Sequence, residues 1–397
     1  MKFNTKVTAV IVLIAVTASL MSGAVLAAND ITILINGEKF VPSQKAVFVE
    51  KMAFVPMDEV FQFLGATVNW NNDKTKANCL YNGKTVTIDV ENSEVIKGGQ
   101  KIPFDFDATD KNGTIMISLK TVSDSLGCKV IFRGKDRTIS ISTGKKLMKT
   151  HFLDCGDADS IFIEYPDGKC MLVDAGESSF KNSLESFIRE KGYDRIDYLV
   201  ASHPHSDHIG GMSHIVKNFD IGSFYTSNVI HTTQTFENLL TALEDKNLKI
   251  NLISRGDIIP SSICEVAVLA PEKRQYLRIN NYSAVLKIVY NKVSSILCAD
   301  AEADSEREMM QSGIDLKADV VKIGHHGSFT STTTGFLKTI NPSDAIISVG
   351  KDNENGYPSK NIINRLKNKG IKIHRTDEKG NITMVTDGHV YIIVGDK

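Results

Sequence analysis

The sequence lacks several features that would place the chain in a specialised class of protein. Its 46 basic and 47 acidic residues leave a formal net charge of −1. This balance argues against tight non-specific nucleic-acid binding through an overall positive field, and it leaves room only for a local basic patch. Beyond the first 28 residues, no apolar run is long enough to span a bilayer. The 397 residues, 42% of them hydrophobic, suffice for two or three domains with cores of their own.

The six cysteines do not form the closely spaced pattern of a small disulfide-stabilised scaffold. Cys155 and Cys170 lie on strands predicted to be neighbours, so they either form a bridge or serve as small core residues. Cys298 lies close to a candidate ligand, Asp300, and we interpret it as a core residue rather than as a ligand.

The first 28 residues are predicted to form a secretory signal peptide. Lys2 and Lys6 give a positive start, residues 7–20 are apolar, and small residues allow cleavage after Ala27 or Ala28. The alternative, a retained membrane anchor, calls for a longer apolar core than this one. We therefore expect an exported protein, either secreted into the extracellular medium or associated with the cell wall.

Residues 29–143 are predicted to form a small α+β module built by duplication. Residues 54–57, 63–65 and 68–70 recur at 116–119, 125–127 and 130–132, an offset of roughly sixty residues. Each copy is predicted to contain a hairpin, a short amphipathic helix and closing strands. Gly65 and Gly127 fit the left-handed ends of the two helices. The polar residues 142–146 are predicted to be a linker.

One short loop carries the densest cluster of potential ligands. Residues 196–201 form an apolar run that predicts a buried strand, and His203, His205, Asp207 and His208 follow it directly. Imidazole and carboxylate are ligands that zinc, manganese and iron accept, and alternate residues of an extended segment face the same side. We expect His203 and His205 to bind one ion, and Asp207 and His208 a second. The alternative, a surface loop without metal, is disfavoured by four ligands at this spacing after a strand.

This loop resembles the His-x-His-x-Asp-His signature of the metallo-β-lactamase superfamily. Residues 152–160, 173–176, 298–300 and 325–328 are similar to motifs of one branch, which contains the hydrolase domain of the DNA-uptake protein ComEC and free-standing secreted relatives. The resemblance covers residues 149–397. It implies an α+β fold, an αββα sandwich preceded by the small duplicated module.

The module itself resembles the copper amine oxidase N-terminal-like domain. It contains no histidine, so we do not expect it to bind copper. Two interpretations stay open: a binding module for the cell wall, a glycan or a surface partner, and a purely structural spacer.

The superfamily resemblance also implies further site residues. Asp300 matches the carboxylate that bridges two metal ions, and the alternative is a helix-capping aspartate. We expect residues 301–304, which follow it, to be an acidic surface segment. His325 matches the last histidine ligand, while His326 would orient ligands, bind the phosphate or protonate the leaving group; the two assignments could be reversed. The candidate metal ligands are therefore His203, His205, Asp207, His208, Asp300 and His325. The candidate catalytic residues are Asp207, Asp300 and His326, and supporting or substrate-contacting side chains are expected at Asp174, His231, Asn281, Ser283, Ser328 and Tyr357.

One ligand of the wider superfamily is missing. A third histidine usually binds the first metal from a position before the bridging aspartate, but here residues 278–283 read Arg-Ile-Asn-Asn-Tyr-Ser. His231 is the one histidine between His214 and Asp300. The first site is therefore expected to be richer in oxygen ligands, which makes Mn²⁺ a rival to Zn²⁺. Tyr357 likewise stands where many relatives have a histidine.

These features favour an exported metal-dependent hydrolase, a phosphodiesterase in which two divalent ions, Zn²⁺ or Mn²⁺, share a bridging hydroxide. The substrate would be a nucleic acid such as DNA, or a cell-wall phosphodiester. One alternative is a cell-surface binding protein with a vestigial metal site, against which the intact ligand set argues. The other is a lactone or β-lactam hydrolase, which would be expected to keep the third histidine.

Overall fold

The computed structural model describes residues 31–36, 38–49, 52–103, 109–111, 113–133, 137–144, 147–351 and 353–397. The predicted signal peptide and part of the predicted linker lie outside these ranges. Within them, no helix has the length and apolar character needed to cross a membrane.

The described residues up to 144, called the N-terminal module below, form short strands around two helices. Their bounds are β1 Thr32–Ile35, β2 Glu38–Phe40, β3 Val47–Val49, β4 Met52–Pro56, α1 Met57–Phe63, β5 Thr67–Trp70, β6 Lys76–Tyr81, β7 Lys84–Asp89, β8 Glu94–Lys97, β9 Gln100–Pro103, β10 Thr109–Lys111, β11 Thr114–Ser118, α2 Leu119–Leu126, β12 Lys129–Arg133 and β13 Thr138–Ser142.

The duplicated segments pack against each other in this module. Strand β4 of the first copy pairs antiparallel with β11 of the second, which places Val55 opposite Ile117. A helix follows each of these strands, and the chain leaves both helices through a glycine with positive φ, 89° at Gly65 and 70° at Gly127. The sequence prediction of left-handed glycines at the helix ends is confirmed.

The described residues from 147 onward, called the C-terminal sandwich, alternate strands with helices. Their bounds are β14 Met148–Phe152, β15 Ser160–Glu164, β16 Cys170–Ala175, α3 Lys181–Glu190, β17 Arg195–Ala201, α4 Ser206–Ile209, α5 Met212–Asn218, β18 Asp220–Ser227, α6 Gln234–Asp245, β19 Ile250–Ile253, β20 Glu265–Ala270, β21 Val285–Tyr290, β22 Val293–Leu297, α7 Ala303–Gln311, β23 Val320–Lys322, α8 Thr334–Ile340, β24 Asp344–Ile347, α9 Lys360–Asn368, β25 Lys372–Arg375, α10 Thr376–Lys379, β26 Ile382–Thr386 and β27 Tyr391–Gly395, with single 3-10 turns at Ser178–Phe180, Ile279–Tyr282 and Gly324–Gly327.

Two sheets stack face to face in this sandwich. One has the strand order β19-β18-β17-β16-β15-β14-β26-β27, and the other has the order β20-β21-β22-β23-β24-β25. Alternate residues of a strand enter different layers: Ile161 and Ile163 pack between the sheets, whereas Phe162 packs with helices α3, α5 and α6. Helices α7, α8 and α9 cover the outer face of the second sheet. The predicted αββα sandwich is confirmed.

The strands that lead to the candidate site end at one edge of the sandwich. Strands β16 and β17 are parallel neighbours in the first sheet, and β22 and β23 are parallel neighbours in the second. The segments that follow their carboxyl ends therefore meet. Gly210 and Gly211, which follow the loop after β17, let its backbone pack closely against neighbouring backbone. A Cβ on Gly211, for example, would lie 2.5 Å from the carbonyl oxygen of Ala175.

Partly buried charges join the module to the sandwich. Glu38 Oε1 accepts hydrogen bonds from Lys149 at 2.8 Å and from Lys191 at 3.4 Å. Beside them, buried His151 lies 2.8 Å from Glu164 through Nε2 and 2.9 Å from the Thr383 hydroxyl through Nδ1. The two lysines offset the two carboxylates, so this cluster is a charge-balanced contact.

All six cysteines lie in the described part of the chain, and none forms a disulfide. Of the two interpretations of Cys155 and Cys170, the bridge is therefore wrong. Cys170 and Cys298 are buried core residues, as expected.

Candidate metal centre

The loop after β17 is held in place by Asp174, at the end of β16. Its Oδ1 accepts a hydrogen bond from the Ser202 backbone N–H at 2.8 Å, and its Oδ2 accepts one from the Ser202 hydroxyl at 2.6 Å. The same Oδ2 lies 2.8 Å from Nδ1 of His208. With Nδ1 occupied in this way, the other ring nitrogen of His208 faces the centre.

Four side chains, Asp207, His208, Asp300 and His326, converge there and are called the second group. His208 Nε2 lies 3.3 Å from both Asp207 Oδ2 and Asp300 Oδ1. His326 Nε2 lies 3.4 Å from the same oxygen of Asp207 and 3.6 Å from that of Asp300. Ligands held tetrahedrally by bonds of about 2.0–2.1 Å are themselves about 3.3–3.4 Å apart, so this spacing fits a bound divalent ion.

The hydrogen-bonding state of these atoms points the same way. His208 Nε2, His326 Nε2 and Asp300 Oδ1 are buried and have no hydrogen-bond partner among the described residues. Buried polar atoms without partners are rare in folded proteins. The Nδ1–H of His326 donates to the carbonyl oxygen of Ser348 at 3.0 Å, so its other ring nitrogen, Nε2, is the one that faces the centre. The second group is therefore built to receive a cation.

His203, His205 and Asp300 make the first group. His203 Nε2 lies 3.0 Å from His205 Nδ1 and 3.9 Å from Asp300 Oδ2. Asp300 thus directs one carboxylate oxygen toward each group, because its Oδ1 faces His208 and His326.

The histidines of the first group are neutral near physiological pH. Burial, followed by the charge of His208, lowers the pKa of His203 well below its ordinary value. Burial also lowers the pKa of His205. Neutral imidazole is the form that binds a metal ion, so these two side chains need not release a proton first.

The electrostatics of the second group are dominated by its carboxylates. Burial alone would lower the pKa of His208, but the charges of Asp300, Asp207 and Asp174 raise it well above its ordinary value. Burial would raise the pKa of Asp300, but His208 and His326 hold it well below its usual range. The carboxylates therefore stay ionised and create a field that attracts cations.

A buried ion pair lies next to this group. Lys322, the last residue of β23, is fully buried and donates a hydrogen bond to Oδ2 of Asp159. The other oxygen of Asp159 is 3.8 Å from Nδ1 of His326. Neither residue was predicted from the sequence to have a role here. The available signal was a lysine inside the otherwise apolar run of residues 320–323.

Asn281 and Ser283 support the segment that carries Asp300. Asn281 Oδ1 accepts hydrogen bonds from the backbone N–H groups of Glu302 at 3.1 Å and Ser305 at 3.3 Å. Ser283 Oγ accepts one from the backbone N–H of Asp300 at 3.2 Å. The expectation that residues 301–304 lie at the surface is wrong for the first two of them, because Ala301 packs in the core and the carboxylate of Glu302 turns inward, which leaves it only 5% exposed.

Three further predicted residues flank the two groups. The ring of Tyr357 lies 5.7 Å from the ring of His325 and 6.4 Å from that of His326, centre to centre. His231 lies 5.8 Å from His205 in the same measure. Ser328 donates its backbone N–H to the carbonyl oxygen of His325 at 2.7 Å.

The structure distinguishes the two adjacent histidines. His326 belongs to the second group, whereas His325 stands outside both groups. The sequence left open which of the two histidines is the last histidine ligand. In the second group that position is taken by His326, the reverse of the match given by the resemblance. Asn280, which the sequence analysis did not select, lies 3.4 Å from His325 Nδ1 through its Nδ2.

Comparison with known proteins agrees with this geometry. A protein-family model described as "Metallo-beta-lactamase superfamily" matches residues 153–351, half of the chain. The chain belongs to the metallo-beta-lactamase superfamily. A second family model, "Copper amine oxidase N-terminal domain", matches residues 34–141.

Curated relatives show to which branch of the superfamily the chain belongs. ComE operon protein 3 of Bacillus subtilis is 30% identical over 247 residues, which cover 58% of this chain and 32% of that protein. Competence protein ComA of Neisseria gonorrhoeae is 27% identical over 229 residues, 57% of this chain and 30% of that protein. The chain thus matches about a third of the length of these relatives and lies in the ComEC-like branch. Among solved structures, the metallo-beta-lactamase fold protein YhfI of Bacillus subtilis aligns with a TM-score of 0.41 and 14% identity, over 61% of this chain and all of that one.

Proposed function

We propose that this chain is an exported, metal-dependent phosphodiesterase with a centre for two divalent ions. The observation that carries the proposal is the position of Asp300, whose two carboxylate oxygens face two separate sets of imidazole nitrogens. A single carboxylate can serve two ions held about 3.5–4 Å apart, the separation found in two-metal hydrolases.

Each ligand group has its own members in this proposal. His203, His205 and Asp300 would hold the first ion, and Asp207, His208, Asp300 and His326 the second. When bound, Zn²⁺ or Mn²⁺ would supply a water of lowered pKa and neutralise charge on the phosphate oxygens.

The residues of the chain hold and flank the reacting groups. Asp300 stays ionised because its pKa lies well below the usual range, so its charge is available to both sides. Tyr357 and His231 lie at the margins of the two groups, where they can contact the substrate. A cysteine nucleophile is disfavoured, because burial raises the pKa of the thiols of Cys155 and Cys298 and keeps them protonated.

The proposed organisation follows the sequence analysis: a signal peptide at 1–28, a module at 29–143 and a hydrolase domain at 149–397. The competence-related names of the relatives support a nucleic acid such as DNA as substrate, and export supports a cell-wall phosphodiester as the second candidate. The N-terminal module would bind the cell wall or a surface partner, or act as a spacer.

The test is a substrate panel with defined metals. Metal-stripped protein, reloaded with Zn²⁺ or with Mn²⁺, is assayed on bis-p-nitrophenyl phosphate, DNA, nitrocefin and a lactone. We expect phosphodiester hydrolysis, its loss in His203→Ala/His205→Ala, and wild-type rates in His214→Ala, a histidine that pairs with Glu185 instead. Hydrolysis of nitrocefin or the lactone without any phosphodiester hydrolysis would contradict the proposal.

A further inference from the structure

We infer that the adjacent histidines are divided between the two metal ions: His326 binds the second, and His325 takes the place of the missing third histidine at the first. This inference rests on the proposed function, because it assigns a ligand within the proposed two-metal centre.

The carboxylate of Asp300 provides the first observation. His325 Nε2 lies 3.7 Å from Asp300 Oδ2, the same oxygen that faces His203 Nε2 at 3.9 Å. His326 Nε2 instead faces Asp300 Oδ1, at 3.6 Å. Although they are neighbours in sequence, the two imidazoles therefore approach opposite oxygens of one carboxylate, and each oxygen belongs to a different group.

The backbone explains how neighbouring residues can do this. His325 has φ 50° and ψ 50°, and His326 has φ 52° and ψ 19°, so two consecutive non-glycine residues occupy the left-handed region. The rings end 6.2 Å apart, with their planes at 70°. Such conformations are strained for residues other than glycine and persist where the surrounding structure enforces them. Here the His325 backbone N–H donates to the carbonyl oxygen of Ala299 at 2.9 Å, which ties the pair to the segment that carries Asp300.

The surroundings of the His325 ring provide the second observation. Its Nδ1 lies 3.2 Å from the hydroxyl of Thr330 and 3.5 Å from Oε1 of Glu302. Glu302 is itself held by Arg278 Nη1 at 3.2 Å. Metal-binding histidines regularly use one ring nitrogen on a carboxylate or hydroxyl and the other on the metal. Nε2 is the nitrogen that faces Asp300 Oδ2 on the side of the first group, and its other polar neighbour is the weakly placed Asn280 Nδ2, at 3.5 Å.

The competing candidate for the third ligand is His231. Its ring stands beside His205, and its Nδ1 contacts the Thr233 hydroxyl at 3.1 Å. No carboxylate contact supports it among the described residues. The geometry therefore favours His325.

The experiment measures metal binding rather than turnover. The metal-stripped wild-type protein, His325→Asn, His326→Asn, His231→Asn and the control His389→Asn, which alters an exposed histidine, are titrated with Mn²⁺. Bound ions are counted by elemental analysis, and electron paramagnetic resonance distinguishes a coupled pair from a single ion. Asparagine is chosen because it tolerates the left-handed conformation and is too short to replace the imidazole.

We expect two ions and a coupled signal for wild type, His231→Asn and His389→Asn. His325→Asn should bind one ion with wild-type affinity and the other at least tenfold more weakly, giving an isolated-ion signal. In a His203→Ala background, which lacks the first ion, adding His325→Asn should leave the affinity for the remaining ion unchanged, whereas adding His326→Asn should weaken it. Glu302→Gln, which keeps the His325 side chain, should weaken the first ion by about 10- to 100-fold.

The outcomes separate this inference from the function on which it rests. Two ions of wild-type affinity in His325→Asn, or a tenfold weaker remaining ion in His203→Ala/His325→Asn, would overturn the inference while the two-metal centre stands. Loss of the first ion in His231→Asn but not in His325→Asn would do the same. A wild-type protein that binds no divalent ion overturns the proposed function, and this inference with it.

Discussion

The ion pair between Lys322 and Asp159 offers a quantitative test of the fold beneath the metal groups. The two side chains are 0% and 1% exposed. Lys322→Met keeps the length of the side chain, removes its charge and leaves the buried carboxylate of Asp159 without its lysine partner. The nearest other basic groups are His326 Nδ1 at 3.8 Å and His208 Nδ1 at 4.0 Å, too far for a hydrogen bond that would replace the lost contact. Breaking a buried pair in this way costs about 3–5 kcal/mol, a large part of the roughly 5–15 kcal/mol that stabilises a typical domain.

The assay is urea unfolding in the presence of a chelator, so that metal binding does not contribute. Circular dichroism follows the whole chain, while fluorescence of Trp70, the one tryptophan, reports on the N-terminal module. Lys322→Met should lower the free energy of unfolding of the sandwich by about 3–5 kcal/mol and leave the Trp70 transition in place. Lys322→Met/Asp159→Asn should recover about 2 kcal/mol, because no unpaired charge remains. A loss under about 1 kcal/mol in the single variant, or a double variant less stable than the single one, would refute this reasoning.

Three further predictions concern the bridging carboxylate, the independence of the sandwich from the N-terminal module, and a buried histidine between them. Asp300→Asn should lower phosphodiester turnover at saturating substrate by roughly a hundredfold or more, because the charge shared by both groups is lost. Wild-type turnover in Asp300→Asn would disprove the bridging role. Tyr357→His, in contrast, should keep both ions. A fragment of residues 145–397 should fold by circular dichroism and hydrolyse a small phosphodiester; a folded but inactive fragment would mean that the module contributes to the site. Burial lowers the pKa of His151 in the folded protein, so the unfolded chain binds a proton on this imidazole more readily than the folded one. The folded state therefore has its full stability above the unfolded pKa of about 6.5. It loses stability as the pH falls from there toward the lower pKa of the folded state. His151→Gln should reduce the drop in urea midpoint between pH 7 and pH 5, and an unchanged drop would contradict the assignment.

Local patterns in the sequence were sufficient to predict the strand and the loop that form the core of the candidate site. The apolar run at residues 196–201 became strand β17, and the loop behind it brought His203, His205, Asp207 and His208 to one edge of the sandwich. Such features depend on residues close together in the chain, where periodicity and ligand spacing are informative. The four-layer arrangement came from family resemblance, since periodicity alone does not determine how sheets stack.

Pairing between distant segments was harder to predict. Strand β26 lies between β14 and β27, with Met148 opposite Thr386, so the beginning and the end of the sandwich share one sheet. The position of β26 in this sheet was not predicted, because nothing in the local sequence indicates which strands it pairs with. Helix α7 was also missed, since its first turn lies in the segment that was expected to be an acidic surface stretch.

The details of the candidate site depended most on three-dimensional context. The division of His325 and His326 requires two successive left-handed residues, a conformation for which histidine gives only a weak sequence signal. From the sequence Glu302 was predicted to be a surface charge, whereas in the structure its carboxylate lies against the ring of His325. Lys322 gave a usable signal, because a charge within a buried strand calls for a partner.

The central claim, that two divalent ions held by these residues hydrolyse a phosphodiester, is tested most directly by titrating metal into the stripped protein while its turnover of bis-p-nitrophenyl phosphate is recorded. We expect no turnover in chelator and a rate that rises until two ions are bound per chain. Turnover that is complete without metal, or absent at every metal loading, would contradict it.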